Sequence, residues 1–142
     1  MKENSIINEA SVIAESMYEV ARTIEANYSF DEKYRTASKL KNAANDSYFY
    51  VAQVTGAGKN QALEFDCISA RKYLNTLKSM YIFASKQGMA DLEPEQIVRI
   101  DKLVAKIDAE QKASQKEIKR RTEEELKPWL KKYRIWQKIS KD

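Results

Sequence analysis

Apolar side chains recur at three- and four-residue spacing through four long stretches of this chain, and almost nothing inside them can break a helix. Only three glycines and two prolines fall in 142 residues. The first stretch, 5–26, puts Ile6, Ala10, Ile13, Met17, Val20, Ala21 and Ile24 on one face, and Asn27 reads as its stop. The second, 30–55, aligns Phe30, Tyr34, Ala37, Leu40, Ala44, Ser47, Tyr48 and Val51; Ser29 reads as its N-cap, with Glu32 completing a capping box. It ends at Gly56-Ala57-Gly58, whose glycines suit a C-cap. The third, 61–87, is capped by Asn60, carries Leu63, Cys67, Ala70, Leu74, Leu77, Tyr81 and Ala84 inside, and ends at Gly88. The fourth opens at Pro94, a residue favoured at the first helical position, and carries Ile97, Ile100, Val104 and Ile107. Loops this short predict that consecutive helices run antiparallel. The expected fold is therefore all-α: an up-down-up-down four-helix bundle over 1–108.

Past Asp108 the apolar stripe thins, although 109–125 remains rich in helix formers and Ile118 is nearly its only large apolar residue. The fourth helix is expected to continue as a solvated rod and to break or kink at Pro128, which lacks a backbone donor. The 109–142 segment is thus an extended polar helix leading into a tail where Trp129, Tyr133 and Trp136 lie among lysines. Charge is concentrated there. Residues 119–142 hold nine Lys and Arg against four Asp and Glu, a net of +5, while the remainder holds 16 against 17, a net of −1. A local positive field of that kind favours an anionic partner, nucleic acid above all.

Catalytic chemistry finds little to work with. The chain has no His, so the commonest general base and metal ligand is missing, and the Glu-x-x-His pairs of a di-iron bundle cannot be assembled. Cys67 sits on the inner stripe with no His to activate it and reads as a core thiol. Glu123-Glu124-Glu125 reads as a solvated helix face. Gly56-Ala57-Gly58-Lys59 fails as a phosphate loop, because Gln53 stands where the first Gly belongs and Asn60 where Ser or Thr belongs. No enzyme activity, cofactor or metal is expected. A lone cysteine without a secretory signal predicts a cytoplasmic setting, which leaves the sequons at Asn27 and Asn45 idle. No run approaches the ~18 consecutive apolar residues of a membrane span, and no membrane partner is expected.

Two groups of residues depart from the core pattern. Phe65, Ile68 and Phe83 lie round from the inner stripe of the third helix, and Phe49 lies off that of the second, beside Arg35 and Lys39. Several large apolar residues along a second stripe suggest an oligomer interface; scattered surface aromatics are the alternative. The tail has three readings. Lys119, Arg120, Arg121, Lys127, Lys131, Lys132, Arg134 and Lys138 neutralise phosphates while Trp129, Tyr133 and Trp136 stack on unpaired bases. Alternatively, a short helix folds back and buries both tryptophans, or a basic amphipathic helix rests on an anionic membrane. On the bundle itself, Arg35, Lys39, Arg71 and Lys78 are further candidates for RNA contact.

The middle of the chain also resembles a known family. Phe30-Asp31-Glu32-Lys33-Tyr34 followed by Leu40-Lys41-Asn42-Ala43-Ala44 is similar to the opening of a four-helix-bundle family. That family contains the proteins encoded in intervening sequences of bacterial large-subunit ribosomal RNA genes and the accessory variability determinants of diversity-generating retroelements. Glu64-Phe65, Ala70-Arg71, Leu74, Leu77 and Ala84-Ser85-Lys86-Gln87-Gly88-Met89 fit its third helix. The similarity spans about 30–108. The intervening-sequence branch usually has an IPxNIAEG stretch where this chain has Ser47-Tyr48-Phe49-Tyr50-Val51-Ala52-Gln53-Val54-Thr55-Gly56, lacking both Pro and Glu. The resemblance therefore leans toward the accessory branch. It implies a non-enzymatic, homopentameric scaffold that binds the retroelement reverse transcriptase and its template RNA. A stand-alone bundle of the intervening-sequence type, with a general RNA- or protein-binding role, is the alternative.

Overall fold

All four periodic stretches are helical in the computed structural model, which describes residues 2–28, 32–56 and 61–141 and the side chains of 5–28, 34–56 and 63–140. They form α1 (Lys2–Asn27), α2 (Glu32–Gly56), α3 (Gln61–Lys86) and α4 (Pro94–Lys141). The Ser29 and Asn60 caps, Phe30 and the 57–60 turn lie outside the described residues. Each helix packs on the next, and α4 returns to α1. One continuous apolar core lies between them.

The inner faces of α1 and α3 lie where the spacing predicts. Ile6, Ala10, Ile13, Met17, Ala21 and Ile24 are buried, with Val20 at the margin. Every predicted inner residue of α3, from Leu63 to Ala84, is buried. Fully burying a Leu, Ile or Met side chain stabilises by about 1.5–3 kcal/mol, so these stripes are the main source of cohesion.

α3 stops at a Schellman motif. Gly88 takes φ +75°, and the Met89 and Gly88 amides donate to the carbonyls of Ala84 and Ser85. The Tyr81 hydroxyl then ties down the following loop. It donates to the Asp91 carbonyl and accepts from the Glu93 amide, each at 2.9 Å, just before Pro94 opens α4. Polar pairs join α3 to α4 at three levels: Glu64 with Gln115, Arg71 with Asp108, and Lys78 with Asp101. Lys41 meets Glu25 between α2 and α1, and Lys106 meets Glu9 between α4 and α1.

Four expectations need correction. Tyr48, expected inside, is 40% exposed, because the buried stripe of α2 is centred further round, on Ala43, Ser47 and Val54; Tyr48 lies in the groove between α1 and α2. In α4 the buried line runs through Gln96, Ile100, Leu103, Ile107, Gln111 and Ser114, leaving Ile97 and Val104 at its edge. Packing therefore continues past Asp108. The apolar stripe thins there because Gln111 and Ser114 occupy buried positions, and the solvated rod begins only at residue 119. Finally, the break at Pro128 does not occur: α4 is one helix from Pro94 to Lys141. Proline removes one helical hydrogen bond and crowds the carbonyl four residues earlier, but around residue 128 every side chain is exposed, so that carbonyl can turn to water.

Candidate nucleic-acid interface

All residues from 119 to 140 are exposed, so the end of α4 leaves the bundle as a single solvated helix. At ~1.5 Å per residue it projects about 30 Å. The tryptophans are not folded back: Trp129 is 69% and Trp136 62% exposed.

Helical geometry sorts the tail by chemistry. At about 100° per residue, Lys127, Lys131, Arg134 and Lys138 fall within an arc of roughly 60°. They line one open face together with Leu130 and Ile135. Trp129, Tyr133 and Trp136 fall on the other side, with Leu126 beside them. The Tyr133 and Trp136 rings stack at 6.1 Å and 23°. Lys132 is the cation of this aromatic side, its Nζ 5.5 Å from the centre of the Trp129 ring. Aromatic and basic residues that alternate in sequence are thus segregated on the helix, which the sequence reading missed although the spacing contained it.

The upper tail is chemically different. Arg120 bonds Glu117 through two nitrogens, at 2.8 and 3.2 Å, and Glu124 at 2.9 Å; Arg121 bonds Glu117 at 3.1 Å. These hydrogen bonds, led by Arg120, hold the Glu117 carboxyl down at about 2. The two arginines are already engaged with carboxylates on their own helix, whereas Lys119 has no ion pair among the described residues.

The bundle candidates do not join the tail. Arg71 and Lys78 are half-buried and pin α3 to α4 through Asp108 and Asp101. Arg35 and Lys39 are exposed on α2. Lys39 shares a groove with Thr76, Met80 and Phe83 towards the end of α3, while the tail departs beside the start of α3, where Gln115 meets Glu64. About 18–29 Å of helix separates those levels.

Phe49, Phe65, Ile68 and Phe83 are all exposed, at 56%, 68%, 47% and 53%. Phe65 and Phe83 are five full turns apart and point the same way. Helical spacing gives no sign of the Tyr50–Tyr73 stack between α2 and α3, with ring centres 4.4 Å apart and planes 3° from parallel. Inside the bundle, burial pushes the Cys67 thiol up to about 11, so it stays protonated and unreactive near neutrality. Among the described residues no helix is long and apolar enough to cross a membrane. Comparison with known protein families, with curated proteins and with solved structures gives no match.

Proposed function

We propose that this chain is a non-enzymatic, cytoplasmic accessory protein of a diversity-generating retroelement, an oligomeric scaffold that binds reverse transcriptase and its template RNA. The four helices are read as an antiparallel up-down bundle, since the α3–α4 pairs descend one helix as they climb the other. The observation that carries the RNA reading is the exposed end of α4, where Lys127, Lys131, Arg134 and Lys138 share one open face. The retroelement and the polymerase come from the family resemblance alone. Self-association, as a pentamer by that resemblance, is assigned to Phe49, Phe65, Ile68 and Phe83, which present apolar surface about half or more exposed.

The test is salt-dependent binding of the full chain to single-stranded RNA. Four lysine and arginine contacts to phosphate give a slope of log affinity against log salt of about −3. A chain ending at Glu117 should lose most of that affinity while its bundle stays folded. Undiminished affinity after truncation would refute the tail as the site and move binding to Arg35 and Lys39. A reverse-transcriptase gene beside this one supports the retroelement reading; a ribosomal RNA operon supports the intervening-sequence type instead.

A further inference from the structure

The aromatic side of the tail is a surface without an occupant. Leu126, Trp129, Leu130, Tyr133, Trp136 and Ile139 are 48–69% exposed and lie on one half of the helix. Leu126, Trp129, Tyr133 and Trp136 follow the three-four-three spacing of a coiled-coil seam, flanked by Ile139 and by Leu130, which borders the lysine face, while Lys127, Lys131, Arg134 and Lys138 point away from it. Trp129, Tyr133 and Trp136 can each bury ~150–250 Å², so with the three aliphatic side chains this face offers several hundred Å², on the order of the ~800 Å² per partner of a standard interface.

Helices in proteins draw little stability from propensity and most of it from packing an apolar face, and this one also carries Pro128. A helical tail with nothing against its aromatic side lacks its usual source of stability.

We infer that the tail pairs with the same segment of a second copy of this chain, through the face formed by Leu126, Trp129, Leu130, Tyr133, Trp136 and Ile139. Pairing leaves Lys127, Lys131, Arg134 and Lys138 on the outside but draws in Lys132, whose Nζ lies over the Trp129 ring. It also brings two like-charged segments together, so the contact is opposed by repulsion. This inference does not depend on the retroelement reading, and it uses a different surface from Phe49, Phe65, Ile68 and Phe83. It bears on that reading in one way: pairing would cover the tryptophans and leave RNA the lysine face.

Salt separates pairing from binding to any anion. Raising salt from about 0.1 M to about 1 M shortens the screening length from ~10 Å to ~3 Å. Tail pairing should tighten over that range, whereas attachment to RNA or to an anionic membrane should weaken. Light scattering on the full chain gives the mass, and tryptophan emission should move to shorter wavelength as protein concentration rises. Trp136→Asp should weaken association at least tenfold without loss of the bundle's helical signal. The double variant Lys131→Gln, Lys138→Gln should strengthen it by relieving repulsion. The proposal is overturned if Trp136→Asp associates as the parent does, or if emission is independent of concentration. It is equally overturned if the tryptophans become shielded only on adding phosphatidylglycerol vesicles, which would make the face a lipid-binding one.

Discussion

Leu77 illustrates how far a single residue's environment can be read from spacing. It is fully buried among α3 neighbours that the three-four pattern also placed inside. Leu77→Ala should cost about 2–5 kcal/mol, the lost burial plus the cavity left behind. A change below about 0.5 kcal/mol on chemical denaturation would place the residue outside the core. Cys67 gives a second residue-scale expectation. Its folded value of about 11 lies above the ordinary 9, so the folded state holds its proton more tightly than the unfolded state does. Stability should therefore fall as pH rises from 9 towards 11, and Cys67→Ala should remove that part of the decline. Thiol labelling of the native protein should be far slower than labelling in denaturant. Fast native labelling at neutral pH would contradict the burial. Ser114 is the opposite case, a residue whose burial the pattern did not foresee. It is 1% exposed and its Oγ has no hydrogen-bond partner among the described residues. Removing an unsatisfied buried hydroxyl relieves a desolvation cost of about 1–3 kcal/mol, so Ser114→Ala should hold or raise stability. A loss above about 1 kcal/mol would mean that the hydroxyl has a partner.

At the scale of the element, the helices were legible because periodicity repeats over many turns, and each turn restates the same inner face. The stops were legible where chemistry is local, as at Gly88, whose positive φ an L side chain resists. What spacing did not reveal were features decided by neighbouring helices. Tyr48 sits on the α2 face that α1 leaves open, and Gln111 and Ser114 are buried because α4 covers the start of α3. Pro128 went the other way. The local rule predicts a break or a kink, and α4 does not break: it continues as one helix, with the side chains around the proline exposed. That continuity has a measurable consequence. Pro128→Ala restores a backbone donor and removes a strain of about 3 kcal/mol, all of it within the solvated rod. Far-ultraviolet dichroism should gain helical signal, most of all at elevated temperature, while the denaturation midpoint of the bundle stays put. A shifted midpoint would show that the rod and the bundle unfold together.

Across the whole molecule, charge and apolar surface are distributed in a way no single helix shows. The positive excess sits on a projecting rod, whereas the bundle nets close to neutral. The candidate site was only half legible for that reason. Its location followed from counting charges, but the segregation of lysines from tryptophans appears only when the residues beyond Pro128 are wound as a helix. The four off-stripe residues of α2 and α3 were legible one by one; whether they act as one surface depends on how several copies meet. If they do, light scattering should give a mass several times the 16.4 kDa of one chain. Phe83 is the better probe of that surface. It is 53% exposed in the groove with Lys39, Thr76 and Met80, so an acidic replacement leaves the core untouched. Phe83→Asp should lower the mass without loss of helical signal, because a carboxylate buried in an apolar contact is heavily penalised. Trp136→Asp should lower it independently if the tail pairs as inferred. Phe83 lies near the end of α3, about 29 Å of helix from the level where the tail departs, and the two surfaces share no residue, so the effects of the two substitutions should add. The double variant should then run as a single 16.4 kDa chain. If Phe83→Asp leaves the mass unchanged, the off-stripe aromatics are ordinary exposed side chains and whatever association persists belongs to the tail.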